Sequence, residues 1–187
     1  MATHIALLRG INVGGRNKVS MPDLRQVVAS LGHTGVSTYI QSGNVIFTAL
    51  ETQTATIASA LERAIAEALG VRPRVVVLSR DDLDQVIRGN PYPGEPNPKC
   101  VHAVFFGQDI GPDAAAAVAA TEKRAAERGG RDEARVAGQT LYLHTPDGFG
   151  RSELAALLLG RSSSPVSAGT ARNWSTVTKL LALCDGS

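Results

Sequence analysis

The clearest hydrophobic periodicity in the chain follows its first apolar run. Apolar side chains recur at the i, i+3, i+4 and i+7 spacing of one helical face, at Leu24, Val27, Val28 and Leu31. Ser20 precedes Asp23 by three residues, which is a capping-box spacing, and Pro22 suits a first helical turn. The pattern predicts a helix that begins after Ser20 and ends at Gly32.

Shorter patterns on either side complete the first half. The run HIALLRGI predicts a strand with Arg9 near its end, and VSTYIQSGNVIFTA predicts two strands that turn at Ser42 and Gly43. An alanine-rich stretch, 54–69, predicts a second helix. The run RVVVL predicts a strand too continuously apolar to lie at a sheet edge. Strand, helix, strand, strand, helix, strand is the order of the ferredoxin-like βαββαβ fold.

A similar series of elements follows in the second half. The predicted elements are a strand in CVHAVFF, a helix from Pro112 to Arg128, a hairpin that turns at Gly138 and a helix over 152–159. A closing helix follows, with Asn173 as its N-cap. The fold class is therefore α+β, a ferredoxin-like first half plus a similar second α/β half, pseudo-duplicated.

The two predicted halves are separated by a proline-rich segment. NPYPGEPNPK, residues 90–99, holds four prolines and suits neither a helix nor a central strand. A short helix capped by Ser79 and Asp82 and closed at Gly89 precedes it. We expect one unit over 1–187, with halves of about 1–89 and 100–187 joined by a stiff connector, more a spacer than a lid.

Composition narrows the class of protein. Hydrophobic residues at 43% and charged residues at 19% are ordinary for a soluble globular protein. The N-terminus lacks the features of a secretory signal, and no apolar run is long enough to span a bilayer. The spacing of Cys100 and Cys184 matches no paired-cysteine motif, which favours free thiols in a reducing compartment. We expect a cytoplasmic protein that does not bind membranes.

Positive charge is concentrated at the two ends of the chain, although the net charge is only +2. Residues 1–50 contain Arg9, Arg16, Lys18 and Arg25 against Asp23 alone. The tail from Arg151 has four cationic side chains, at Arg151, Arg161, Arg172 and Lys179, against Glu153 and Asp185. The distribution points to an anionic partner if folding brings the ends together.

The stretch RGINVGGRNKVSM, residues 9–21, is the main candidate for such a site. Glycines between a strand and a helix let main-chain N–H groups approach an anion, and neighbouring cations add charge. The candidate contacts are Arg9, Asn12, Gly14, Gly15, Arg16, Asn17 and Lys18. The spacing fits neither a Walker A loop nor G-x-G-x-x-G, and an ordinary solvated turn explains the same residues equally well.

Arg172 and Asn173 form a second candidate anion contact. Arg172 comes just before the closing helix, where a cation faces the positive end of the helix dipole. A bound anion would make that placement favourable, and an ion pair with an acidic side chain would do so equally. We expect the glycine loop and Arg172 to converge on one electropositive pocket.

Other chemistry has less support. Gln41, Ser42 and Asn44 are candidate polar contacts, although such residues usually satisfy hydrogen bonds of their own turn. The four histidines stand alone, so no metal site is expected, and no catalytic residues or cofactor can be identified. The RNA-recognition signature is absent and aromatic residues make up only 4% of the chain, which argues against specific nucleic-acid binding.

Three stretches together resemble a known family. LLRGINVGGRNKVSMPDLR, TYIQSGNVIF and TARNWSTVTKLL are similar, in this order, to the DUF1697 family of uncharacterised bacterial proteins. The resemblance extends over essentially the whole chain. It implies a cytoplasmic α+β protein with two similar halves, which can be intertwined, and no established activity or catalytic residues.

Three functions are compatible with these observations. The first is binding of a small anionic or phosphorylated ligand, with or without catalysis. The alternative is a structural or protein-interaction module without a small-molecule ligand, including a homo-oligomer in which the motifs hold two halves or subunits together. The third is weak, non-specific binding of nucleic acid through the basic side chains.

Overall fold

The chain folds as a mixed α+β protein, described here from a computed structural model. The structure describes residues 2–160 and 164–186. Arg161, one of the cations predicted to concentrate positive charge in the tail, lies outside the described residues. Two compact units are present, one formed by Met1–Gln85 and Lys179–Ser187 and the other by Val86–Thr178.

The first unit has the predicted order of elements. These are β1 (His4–Arg9), α1 (Met21–Ser30), β2 (Thr34–Tyr39), β3 (Asn44–Thr48), α2 (Thr54–Leu69) and β4 (Arg74–Ser79), followed along the chain by α3 (Arg80–Arg88). The strands pair antiparallel in the order β2-β3-β1-β4. The ferredoxin-like βαββαβ prediction is confirmed.

The predicted helix signals act as expected in this unit. Ser20 Oγ accepts a hydrogen bond from the Asp23 N–H at 3.2 Å and so caps α1. At α3, Ser79 and Asp82 form a reciprocal capping box, with both side chain–main chain distances at 3.0 Å. The core lies between the sheet and α1 and α2, and its largest buried side chains there include Phe47, Leu24 and Leu61.

The expectation that RVVVL avoids a sheet edge is wrong. β4 is an edge strand of its sheet. Val75 and Val77 belong to the core beneath the helices, while Val76 and Leu78, on the opposite face, are only 7% and 6% exposed. Burial on both faces therefore explains the continuous apolar run, and it does not require a strand neighbour on each side.

The second unit repeats this topology. Its elements are β5 (Val101–Phe105), α4 (Pro112–Glu127), β6 (Glu133–Ala137), β7 (Thr140–His144), a 3-10 turn (Phe149–Arg151), α5 (Glu153–Leu159) and β8 (Thr170–Asn173), followed along the chain by α6 (Trp174–Cys184). The strand order is β6-β7-β5-β8, which corresponds strand for strand to that of the first sheet. The predicted similarity of the halves is confirmed.

The fourth strand of this sheet, β8, is missing from the sequence prediction. The sequence predicts only the closing helix here, with Asn173 as its N-cap, whereas Thr170–Asn173 pairs antiparallel with β5, and Arg172 is directly opposite Ala103. Strand alternation turns Thr170 and Arg172 toward one buried face. A buried arginine in a four-residue strand hides the apolar alternation by which strands are recognised.

The proline-rich segment 90–99 contains turns and bends and belongs to the second unit. Tyr92 stacks on His144 with ring centroids 5.1 Å apart, and Glu95 Oε2 lies 2.7 Å from His144 Nε2. The Trp174 N–H donates to the Pro98 carbonyl at 3.2 Å. The segment is thus held against its own unit by side-chain and main-chain contacts.

Candidate functional site

The glycine loop after β1 is a small hairpin with two buried anchors. Ile11 and Val19 are 2% and 5% exposed and fix its ends in the core of the first unit. The Asn12 N–H donates to the Asn17 carbonyl at 3.1 Å, closing the base of the loop. At the tip, the N–H of residue 16 donates to the carbonyl of residue 13, also at 3.1 Å.

Gly14 and Gly15 occupy the tip of this hairpin. Their φ angles are +58° and +75°, as a two-residue type I′ turn requires, and side chains rarely adopt such values. No atom lies within 4 Å of a Cβ built at either glycine. Backbone conformation is therefore a sufficient reason for both glycines, and the predicted close approach of a ligand stays a prediction.

Asn12 joins the glycine loop to the turn between β2 and β3. Its Nδ2 donates to the Val19 carbonyl at 2.9 Å and to the Gln41 carbonyl at 3.0 Å, while its Oδ1 accepts from the Val19 N–H at 2.8 Å. Asn17 Nδ2 donates to the Gly10 carbonyl at 2.8 Å. Both amides thus brace the loop through hydrogen bonds to main-chain groups.

The adjoining turn, residues 40–43, packs tightly against β1. The Leu8 N–H donates to the Gly43 carbonyl at 2.8 Å, and a Cβ at Gly43 would lie 2.8 Å from Leu8 Cβ. Asn44, fully buried, donates through Nδ2 to the Tyr39 carbonyl and to Ser42 Oγ. Of the candidate polar residues, Ser42 and Asn44 therefore stabilise the turn, and Gln41 contributes its main-chain carbonyl.

Two exposed apolar residues flank the hydrogen bond between the loops. Val13 follows Asn12 and is 68% exposed, and Ile40 precedes Gln41 and is 51% exposed. Ile40 also has a φ of +50°. A β-branched residue is a genuine outlier in this region and costs on the order of 1–3 kcal/mol. Neither residue was predicted from the sequence, because neither an exposed valine nor a strained isoleucine has a sequence signature.

Basic side chains collect at this end of the sheet. Arg9 is directly opposite Arg74 across the β1–β4 pair, and Arg16 and Lys18 are exposed in the loop. Within residues 2–160 and 164–186, none of the four forms an ion pair with an acidic side chain. We call Arg9, the loop 10–18 and Arg74 the basic edge. Arg74 was not predicted, since only strand register reveals that it is opposite Arg9.

Arg172 and Asn173 lie in the second unit. Arg172 is 8% exposed, and its Nη1 donates to Thr170 Oγ1 at 2.9 Å and to the Ala171 carbonyl at 2.8 Å. Burial lowers the pKa of this guanidinium to about 10. Asn173 Oδ1 accepts from the Thr176 N–H at 2.9 Å, the hydrogen bond expected of an N-cap. A pocket shared between Arg172 and the glycine loop stays a prediction.

The other side chains that could bind a metal or react are dispersed. No cluster of three or more His, Cys, Asp or Glu side chains within the described residues is arranged to hold a metal ion. Cys100 and Cys184 are buried and form no disulfide. Burial also lowers the pKa of His102, to about 4, where the ring stacks on Phe149. In the described part of the chain, every helix is too short or too polar to cross a membrane.

Comparison with known proteins agrees with this architecture. The family model described as "Protein of unknown function (DUF1697)" matches residues 1–142. The chain belongs to this family. The match includes the whole basic edge and the β2–β3 turn. The third similar stretch, 170–181, lies beyond the matched residues.

A solved structure supports the fold of this DUF1697 protein. The conserved bacterial protein SP0830 from Streptococcus pneumoniae is similar, with a TM-score of 0.77, 24% sequence identity and 98% coverage of each chain. At this identity the likeness shows the fold alone. Among curated proteins, none matches the chain.

Proposed function

We propose that the protein binds a small anionic or phosphorylated ligand at the basic edge. The observation that carries the proposal is that Arg9, directly opposite Arg74, leads along the chain into the loop that carries Arg16 and Lys18, with no acidic side chain paired to any of the four within the described residues. Like charges directly opposite each other on a sheet are destabilising. An anion bound between them converts this repulsion into charge-assisted hydrogen bonds.

The glycine loop adds preorganised donors to these charges. Among the described residues, the main-chain N–H groups of Gly14 and Gly15 take no part in the hydrogen bonds that close the loop. The loop is anchored by Ile11 and Val19 and braced by Asn12. Binding therefore costs little ordering of the protein, because the donors are already held in place. Unpaired buried thiols agree with a cytoplasmic site of action, which belongs to the same proposal.

Thermal unfolding in a panel of anions tests this proposal. At constant ionic strength, inorganic phosphate and phosphorylated metabolites are compared with chloride. A ligand at a hundredfold excess over Kd stabilises the folded state by about 2.7 kcal/mol, which appears as a saturable rise in Tm. The double variant Arg16→Gln, Lys18→Gln should lose the rise while retaining the fold.

Lys123→Gln provides the matched control for charge removal. Lys123 is an exposed cation of α4 and belongs to the second unit, whereas the basic edge belongs to the first. This variant should keep the full response to phosphate. An equal rise in chloride, or an undiminished response in the double variant, would contradict the proposal.

A second candidate is a protein-interaction module, which includes self-association. The exposed side chains of Val13 and Ile40, on two loops joined by the Asn12–Gln41 hydrogen bond, favour it. Sedimentation of the wild-type chain and of Ile40→Asn over a range of concentrations separates the two functions. A concentration-dependent dimer lost in Ile40→Asn, with no response to anions, would favour the interaction module.

A further inference from the structure

The glycine loop meets the turn 40–43 at residues 12–13 and 40–41, which we call the seam. The seam combines features that binding of a bare anion does not need. Val13 and Ile40 are the chain neighbours of Asn12 and Gln41, which share a hydrogen bond, and they are 68% and 51% exposed. The seam adjoins Arg16 and Lys18 along the chain. The apolar side chains therefore lie on two loops joined by a hydrogen bond, one of which also carries the cations.

Ile40 is the most informative residue of this seam. Its φ of +50° is tolerated readily by glycine and asparagine, whereas a β-branched side chain is strained there. Because 51% of its surface is exposed, the side chain buries less apolar surface than a core isoleucine and so stabilises the folded state less. Folding alone therefore favours another residue at this position, and strain of this kind is typical of binding sites.

From these features we infer that the anion carries an apolar group, such as an aryl or alkyl substituent, that packs between Val13 and Ile40. The inference rests on the proposed function and adds to it the class of ligand. Inorganic phosphate and sugar phosphates present no surface that these side chains can bury. An organic phosphate with an aromatic ring satisfies both the cations and the apolar pair.

Calorimetric titration with three probes tests the inference. Inorganic phosphate, ribose 5-phosphate and phenyl phosphate carry the same anionic group and differ in what is attached to it. Burying the equivalent of about two methylene groups strengthens binding by about tenfold, so phenyl phosphate should bind about tenfold tighter than ribose 5-phosphate. Equal affinities for the two organic probes would overturn the inference while leaving anion binding intact.

Variants assign the preference to the seam. Ile40→Asn and Val13→Thr remove apolar surface and keep the loop residues compatible with their backbone angles, so each should reduce the preference for phenyl phosphate severalfold without weakening phosphate binding. Leu50→Ser, which removes the fully exposed Leu50 elsewhere in the first unit, should leave the preference unchanged.

The remaining outcomes are also decisive. Ile40→Asn should unfold at the same or a higher temperature than the wild type, since asparagine relieves the strain at this position. If Ile40→Asn and Val13→Thr both retain the tenfold preference, the apolar group binds elsewhere and the inference is wrong. If none of the three probes binds, the proposed function fails, and the inference fails with it.

Discussion

Arg9 and Arg74 are directly opposite each other in the antiparallel pair of β1 and β4. Like charges directly opposite each other on neighbouring strands are destabilising, and the described residues provide no acidic partner to either arginine. A sheet end can tolerate this arrangement because water and salt screen the charges. The same arrangement is favourable once an anion occupies the basic edge.

The first prediction concerns this pair. Arg74→Gln should raise the free energy of unfolding by about 0.2–1 kcal/mol at low salt, because it removes the like-charged cross-strand contact. The gain should shrink at high salt, where the repulsion is already screened. The same variant should bind phosphate more weakly than the wild type. Urea unfolding at two salt concentrations, with a phosphate titration, measures both effects, and a variant less stable at low salt would show that the pair is not repulsive.

The second prediction concerns the brace between the loops. Asn12→Ala removes three hydrogen bonds and places alanine at a φ of +54°, which asparagine tolerates better. At about 1 kcal/mol for each hydrogen bond, the variant should lose about 2–4 kcal/mol of stability. Gln41→Ala is the matched control, since Gln41 accepts through its main-chain carbonyl and should stay within about 0.5 kcal/mol of the wild type. Comparable losses in both variants would mean that the Asn12 side chain does not hold the loops together.

The third prediction concerns pH. Burial lowers the pKa of His102 from 6.5 to about 4 in the folded protein. Between these values the unfolded chain binds a proton that the folded protein does not, so stability falls as the pH falls from 6.5 toward 4. Burial lowers the pKa of His4 and His33 as well, and both add to the same trend.

His102→Phe isolates the contribution of one histidine. The ring stacks on Phe149 with centroids 4.1 Å apart, and its Nδ1 is buried without a hydrogen-bond partner in the described structure, so phenylalanine suits the position. Urea unfolding at pH 7 and pH 5 should show a smaller loss of stability in the variant than in the wild type. Identical losses would indicate that His102 titrates normally in the folded protein.

Local sequence signals were sufficient for most of the fold. Helix α1 follows from the periodicity of its apolar residues and from the Ser20 cap, and the two similar sheets follow from the order of predicted elements. Strand β8 was missed because Arg172 occupies a buried position where an apolar residue is expected. β4 was placed inside its sheet because burial on both faces makes an edge strand resemble a central one.

The candidate site was only partly predictable for a related reason. Glycines and cations in one short stretch marked the loop, since their roles depend on neighbours in sequence. The bracing role of Asn12 depends on the carbonyl of Gln41, 29 residues away, and the juxtaposition of Arg9 and Arg74 depends on strand register. Long-range pairings of this kind leave no mark in the local pattern of residues.

Amide NMR during a phosphate titration detects binding of an anion at the basic edge residue by residue. Saturable chemical-shift changes are expected at the N–H groups of Gly14, Gly15 and Lys18, with one dissociation constant, and these changes should be lost in Arg16→Gln, Lys18→Gln. Saturable shifts confined to other parts of the chain, or none at any phosphate concentration, would contradict binding at the basic edge.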